Sequence, residues 1–261
     1  MEITMYQVDA FASEVFTGNP AAVCPLREWL PEDLMQSIAR ENNLSETAFF
    51  APEDGMFRIR WFTPDAEVDL CGHATLASAY VILTIMEPSR TRVGFLSRSG
   101  PLGVARTGDL FAMDFPAQPP VACETPAQLL SGLGGRPETV LCSQDYFAVF
   151  ACEEDVLNLT PDMNQLAGLG LRGVIATAPG KEADFVSRFF APGIGVPEDP
   201  VTGSAHCALI PYWSKRLEKK DLYARQVSRR GGELFCRDLG GRVEISGRAA
   251  LYMRGTIFVG P

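Results

Sequence analysis

Two glycine-containing segments hold most of the residues that suit acid–base chemistry. The first reads Cys71-Gly72-His73-Ala74 and the second Thr202-Gly203-Ser204-Ala205, with Asp199 just before the second. Both histidines of the chain, His73 and His206, lie in or beside these segments. Each segment is predicted to precede a helix, and the first N–H groups of a helix have no intrahelical acceptor and carry its positive end. We expect each segment to attract a carboxylate or a developing enolate.

The two segments belong to an internal repeat. Arg60-Trp-Phe-Thr-Pro64 reappears 128 residues later as Arg188-Phe-Phe-Ala-Pro192, and Gly72 reappears 131 residues later as Gly203. Two further pairs of segments align at nearly the same offset: Ser97–Gly100 with Ser228–Gly231, and Glu46-Thr47-Ala48 with Ala176-Thr177-Ala178. Three matches in the same order at one period indicate that the two halves arose by duplication.

Glu46 is the most informative single residue. In the repeat alignment Glu46 is aligned with Ala176, so the chain has one acid at this position rather than a symmetric pair. The usual fate of a glutamate is an exposed carboxylate. Against that reading, Ala48, Phe49 and Phe50 follow closely and are apolar. We therefore predict that Glu46 is the single general acid/base.

Each half is predicted to be a curved, mostly antiparallel sheet wrapped around a central helix, which is an α+β fold made twice. The central helices are predicted over His73–Met86 and Ser204–Arg216, and Pro211 should kink the second or mark a break. An earlier helix should begin near Pro31, with Leu34, Met35 and Ile38 on one face. We expect domains at residues 1–117 and 118–261, with the last strand able to return to the first domain. Alternating apolar residues predict strands at Ile3–Phe11, Phe57–Phe62, Phe111–Phe115, Phe185–Phe190, Arg242–Ser246 and Leu251–Val259.

Composition narrows the class of protein. The formal net charge of −9 disfavours a nucleic-acid or anionic-membrane surface, since both need a basic footprint. Seven cysteines without a Cys-x-x-Cys pair indicate neither a disulfide framework nor a structural zinc site. No secretory signal or membrane span is recognised. We expect a cytoplasmic protein with no nucleic-acid or membrane partner.

Five segments together resemble the PhzF family of phenazine-biosynthesis-like proteins, and the likeness covers essentially the whole chain. The resemblance implies a fold similar to diaminopimelate epimerase, with two similar domains and the active site between them. It also implies an isomerase without cofactor or metal, since the family's phenazine enzyme moves a proton within a dihydro-hydroxyanthranilate. The segments are Gly18–Val23, Asn43–Phe49, Arg60–Pro64, Cys71–Thr75 and Asp199–Ala205.

The resemblance and the residues lead to one assignment. A small carboxylate substrate is expected to lose and regain a proton at Glu46, while His73 and Asp199 orient its polar groups and backbone N–H groups hold its carboxylate. A homodimer is expected. Catalytic residues are predicted to be Glu46, His73 and Asp199. Substrate-binding residues are predicted to be Asn19, Ser45, Gly72, Ala74, Gly203 and Ser204.

Two other functions remain open at this point. An amino-acid epimerase or racemase would use facing thiols, but Cys71 has Thr202 as its counterpart, and a hydroxyl is too weak an acid to replace a thiol. Cys71 is therefore expected to be a packed, buried thiol. The second alternative is a catalytically silent protein that keeps the fold and binds a small molecule or another protein.

Overall fold

The computed structural model describes residues 1–260 and has an α+β fold. The chain forms two compact units. One is Met1–Asp114 together with the segment that begins at Ser246, and the other is Phe115–Ile245. Within the described residues, no helix has both the length and the apolar character that crossing a bilayer requires.

The first unit is a mixed sheet that runs in the order β8, β7, β6, β4, β3, β2, β1 and β17, with β5 also paired to β4. The final strand of the chain thus pairs with the first. The strands are β1 (Glu2–Ala10), β2 (Asn19–Pro25), β3 (Glu46–Glu53), β4 (Met56–Phe62), β5 (Glu67–Val68), β6 (Arg92–Ser97), β7 (Gly100–Thr107), β8 (Leu110–Pro116) and β17 (Ala249–Phe258).

A buried helix lies against this sheet. Helix α2 (Gly72–Tyr80) is buried from His73 through Ala79 and continues as a π-helical segment, Val81–Met86. It carries no charged residue in its first or last turn, and its closest packing is on β1, β2, β3 and β17. Helix α1 (Glu32–Asn42) follows Pro31 and buries Met35 and Ile38, as its apolar spacing predicted. The central helix expected over His73–Met86 is therefore confirmed, as α2 and the π-helical segment that follows it.

The second unit repeats the plan. Its sheet runs in the order β9, β10, β11, β12, β13, β14 and β15. The strands are β9 (Val121–Ala122), β10 (Thr139–Cys142), β11 (Tyr146–Val149), β12 (Val174–Pro179), β13 (Phe185–Phe190), β14 (Asp221–Gln226), β15 (Gly232–Asp238) and β16 (Arg242–Gly247), and the helices are α3 (Ala127–Leu133), α4 (Glu153–Leu157), α5 (Met163–Ala167) and α6 (Gly203–Leu217).

Helix α6 is the central helix of this unit, and it continues through Pro211. A break at this residue is therefore ruled out, and the other expectation, a kink, stays a prediction. A proline has no N–H to give to the carbonyl four residues earlier. That carbonyl, on Cys207, instead accepts a hydrogen bond of 2.9 Å from the backbone N–H of Gln118. Because the Cys207 carbonyl has this other partner, the helix continues past the proline.

One arginine in each unit anchors the loop that leads to the central helix. Arg60 of β4 donates two hydrogen bonds of 2.7 Å to Glu67, and Arg188 of β13 donates bonds of 2.7 and 3.0 Å to Glu198. Both pairs are bidentate, the geometry that a guanidinium and a carboxylate favour. Their recurrence supports the duplication read from the sequence.

The strand ladders correct one part of the repeat alignment. Phe49 pairs with the anchoring arginine of β4, whereas Ala176 pairs with the anchoring arginine of β13. With these arginines as equivalent positions, Ala176 corresponds to Phe49, and Gly173 corresponds to Glu46. The alignment of Glu46 with Ala176 is therefore wrong by three residues, because backbone pairing sets strand register and a two-residue match does not. The second half still lacks the acid, since glycine has no side chain.

Candidate functional site

The start of helix α2 is set by Cys71, which is its N-cap residue and makes no side-chain capping bond. Thr75 donates its hydroxyl hydrogen bond back to the carbonyl of Cys71 at 2.5 Å, which fastens the first turn. The N–H of Gly72 at the helix start has no intrahelical acceptor by the geometry of a helix. This segment therefore offers backbone donors and a positive helix end.

Glu46 and His73 are in contact in the first unit. Glu46 is the first residue of β3, and its Oε2 lies 3.0 Å from Nε2 of the His73 ring. Oε2 is buried and makes no well-aligned hydrogen bond, although at this distance the carboxylate and the ring act on each other. A buried carboxylate oxygen without a hydrogen bond is poorly stabilised.

The charge of Glu46 acts on His73. Burial disfavours the imidazolium, yet neighbouring negative charge outweighs it and holds the pKa of His73 well above its usual range. A Cys71 thiolate would add to this effect, but burial and the Glu46 charge raise the pKa of Cys71 to about 11. Cys71 is therefore a neutral thiol near pH 7, which leaves the Glu46 carboxylate as the charged group that opposes the effect of burial on His73.

Asn19 and Ser45 hold the opposite side of the imidazole. The Asn19 amide nitrogen lies 3.2 Å from Nδ1 of His73, and the Ser45 hydroxyl donates to the Asn19 amide oxygen at 3.3 Å. Asn19 is completely buried. The fold thus joins four of the predicted site residues, from three separate parts of the chain, in one connected group.

Cys71 also lies beside the ring, with its sulfur 3.5 Å from Nδ1 of His73. It is buried, as the sequence predicted. The fold brings ligand-type atoms of Glu46, Cys71 and His73 within 4.8 Å of one another. Cysteine spacing along the chain does not reveal such a group, because its members come from separate elements. The expectation of an enzyme without a metal stays a prediction.

The corresponding position in the second unit is built differently. Thr202 is the N-cap residue of α6 and makes no side-chain capping bond. Its hydroxyl donates to Asp199 at 2.5 Å. Gln226 of β14 fixes the same turn, since its amide accepts from the Thr202 N–H at 2.9 Å and donates to the Asp199 carbonyl at 2.8 Å. Nothing in the sequence distinguished Gln226 from a surface residue.

The first turn of α6 offers backbone donors. Gly203 and Ser204 open a 15-residue helix, and the first N–H groups of such a helix have no intrahelical acceptor. Backbone donors at the positive end of a helix suit an anion. Arg172, on the same unit, is already paired with the buried Asp145 by hydrogen bonds of 2.9 and 2.5 Å.

His206 is a packed histidine. It is completely buried, and Nδ1 lies 2.9 Å from the Thr202 carbonyl, to which it must donate. Its Nε2 is buried and has no hydrogen-bond partner. Burial lowers the pKa of His206 to about 4, so the ring is neutral near pH 7.

The remaining predicted residue, Ala74, is completely buried in the first turn of α2. Its predicted contact with the substrate stays a prediction. The first unit holds Asn19, Ser45, Glu46, Gly72, His73 and Ala74, and the second holds Asp199, Gly203 and Ser204.

Known proteins similar to this chain agree on one family. The family model described as phenazine biosynthesis-like protein matches residues 8–255. An uncharacterized isomerase of Pseudomonas aeruginosa is 54% identical, with 98% of this chain and 99% of that protein aligned. The human phenazine biosynthesis-like domain-containing protein is 41% identical, with 98% and 99% aligned. These relatives place the chain among isomerase-type enzymes.

Solved structures agree on the fold. A PhzF family protein of Enterococcus faecalis superposes with a TM-score of 0.97 at 47% identity and covers 99% of this chain and 100% of its own. A predicted epimerase of Pseudomonas aeruginosa shares the fold alone, with a TM-score of 0.78, 20% identity and coverage of 99% and 100%. With a family model over nearly the whole length and relatives above 50% identity, the chain belongs to the PhzC-PhzF family of phenazine biosynthesis-like proteins.

Proposed function

We propose that the chain is an isomerase that shifts a proton within a small carboxylate-bearing substrate, with Glu46 as the general acid/base. The observation that carries this proposal is the Glu46 carboxylate itself. Its Oε2 is buried, lacks a hydrogen bond, and lies 3.0 Å from His73. A carboxylate beside a titratable imidazole is placed to take up and return a proton.

The proposed reaction is balanced without a redox partner. The Glu46 carboxylate removes a proton from an activated carbon, and the electron pair of the broken C–H bond passes into the adjacent unsaturated system. The carboxylic acid then returns the same proton to a second carbon of that system. The substrate changes only in the position of a hydrogen and a double bond, which is an isomerisation that needs no cofactor.

The substrate class is proposed from the helix starts. Gly72, Gly203 and Ser204 offer backbone N–H groups at the positive ends of α2 and α6, and neither N-cap side chain occupies them. Such groups stabilise a carboxylate and the negative charge that develops on it during proton removal. We keep Asp199 as a polar contact for the substrate, with its carboxylate oriented by the Thr202 hydroxyl.

An experiment on hydrogen exchange tests the role of Glu46. The protein is incubated in heavy water with a dihydro-hydroxyanthranilate and with a panel of small cyclic carboxylates, and deuterium incorporation is measured by NMR and mass spectrometry. Glu46→Gln preserves shape but cannot accept a proton. Its turnover and exchange should fall by about 10² to 10⁴-fold, while binding of the same compound is retained.

A matched control lies on the same strand. Glu53 is at the far end of β3, where it pairs with Arg58, so Glu53→Gln makes the same chemical change away from His73. It should exchange like the parent. Equal exchange in the parent and Glu46→Gln would remove Glu46 from the mechanism. Binding without turnover or exchange in the parent would instead support the silent-binder alternative, and racemisation of an amino acid such as proline would support the epimerase.

A further inference from the structure

Contacts other than the one with His73 fix the position of Asn19. Gly18, which precedes it, has a φ of +66°, and an added Cβ there would lie 2.2 Å from the carbonyl oxygen of Ala10. The chain can enter β2 in this way only with glycine. Asn19 then pairs with Ala10 across the strand ladder, and its amide oxygen accepts from Ser45. These contacts fix both the backbone and the amide of Asn19.

We propose that Asn19, oriented by Ser45, is a positioning residue that keeps the proton of the neutral His73 ring on Nε2, the nitrogen that faces Glu46. The amide nitrogen of asparagine is only a donor, so Nδ1 at 3.2 Å must use its lone pair to accept. A neutral imidazole has one N–H. With Nδ1 serving as acceptor, that N–H is on Nε2.

This assignment changes the predicted role of Asn19 and Ser45. Both were expected to bind substrate directly, yet the Asn19 side chain is completely buried. Asn19 therefore acts through the histidine. Ser45 acts one step further back, since its hydroxyl donates to the oxygen of the amide whose nitrogen faces the ring.

Two influences on the protonation of His73 oppose each other. Two titratable groups face the ring, the Glu46 carboxylate from β3 and the Cys71 thiol from the preceding loop. Glu46 favours the imidazolium, while Cys71 is neutral near pH 7 because burial raises the pKa of its thiol. The Asn19 donor opposes a proton on Nδ1. Asn19 therefore limits how far Glu46 raises the pKa of His73.

The catalytic consequence rests on the proposed function. With its proton on Nε2, the ring presents a donor to the Glu46 oxygen that has no other partner. A small rotation of either side chain makes this contact a hydrogen bond, which restrains the carboxylate for proton transfer. A ring with its proton on Nδ1 would turn a lone pair toward the carboxylate and repel it.

The chain contains its own reference for the test. His73 and His206 are its two histidines, and the structure assigns them opposite tautomers. His206 donates from Nδ1 to the Thr202 carbonyl and has no partner at Nε2. At a pH above the titration of His73, a spectrum of the protein with ¹⁵N-labelled histidine should therefore contain one neutral ring of each kind.

The experiment is a pH titration of that spectrum, recorded on the full chain without substrate. His206→Asn identifies which signals belong to which ring. Above its titration, His73 should show the pattern of an Nε2–H imidazole. In Asn19→Asp the new carboxylate accepts from Nδ1–H, so the pKa of His73 should rise by about one pH unit or more and Nδ1 should gain the proton.

The measured tautomer of His73 either supports or overturns the proposal. An Nδ1–H pattern for His73 in the parent overturns the proposal, and so does a folded Asn19→Asp variant with unchanged tautomer and titration. If Asn19→Asp does not fold, the parent spectrum still decides, together with Ser45→Ala, which should loosen the amide and mix the two tautomers. Because no substrate is present, these results stand apart from the exchange assay on Glu46.

A kinetic measurement separates positioning from bulk structure. If the proposed function holds, Asn19→Asp should lower kcat with little change in KM, because the ground-state contacts of the substrate are made by other groups. Parent tautomers as proposed, with undiminished exchange in Glu46→Gln, would refute the function and leave the tautomer assignment standing.

Discussion

Protonation of one histidine, His206, should destabilise this protein in acid. His206 is completely buried in the first turns of α6, against the ring of Phe185 at a centroid distance of 5.9 Å. Burial lowers its pKa to about 4 from an ordinary value near 6.5. The unfolded chain therefore binds a proton at His206 at a pH where the folded chain does not.

The magnitude follows from this difference. A folded pKa below the unfolded value contributes stability that is present above about pH 6.5 and is lost as the pH falls toward 4. Two and a half pH units at 1.36 kcal/mol each give about 3 kcal/mol. That is a large share of the ~5 to 15 kcal/mol by which domains are stable. The first turn of α6, including Gly203 and Ser204, should loosen first.

The assay compares the parent with His206→Asn. Asparagine keeps a side-chain donor for the Thr202 carbonyl but does not titrate. Urea unfolding of both proteins at several values from pH 7.5 to 4 gives the free energy of unfolding at each pH. The carboxylates titrate in both proteins, so the difference between the two curves isolates the histidine. This difference should shrink by about 3 kcal/mol across the range.

Parallel curves would refute the reasoning. So would a folded-state titration of His206 near pH 6.5 in the ¹⁵N spectrum, because the shift that generates the stability would then be absent. A variant that is less stable by a constant amount at every pH would show that packing, and not protonation, is what His206 contributes.

Two further predictions concern a thiol and an ion pair. Cys71→Ser should keep turnover within about tenfold of the parent, because the thiol is neutral near pH 7 and a lost general acid/base costs about 10² to 10⁴-fold; a folded variant with a 100-fold loss would restore the thiol mechanism. Arg188→Lys should cost about 1 to 3 kcal/mol in urea unfolding, because lysine cannot make the bidentate pair with Glu198. The same change at the more exposed Arg58 is its control and should cost much less, since water screens that pair.

Much of the fold followed from the order of residues alone. Alternating apolar side chains placed a strand at Phe185–Phe190, where the structure has β13. The repeated arginine and glycine motifs gave the duplication and the start of each central helix. Local patterns suffice here because side-chain periodicity and helix starts depend on near neighbours in the chain.

The chemistry of the histidines was decided by the tertiary structure. His73 meets Asn19 and Glu46 because β2 and β3 are parallel neighbours and α2 packs against them. The same pairing of strands corrected the register of the repeat, and the burial of α6 made His206 neutral. Periodicity states which face of an element is buried, but not which residue of another element lies within hydrogen-bond distance. Partner, tautomer and protonation state depend on that distance, so they emerge only when separate elements pack together.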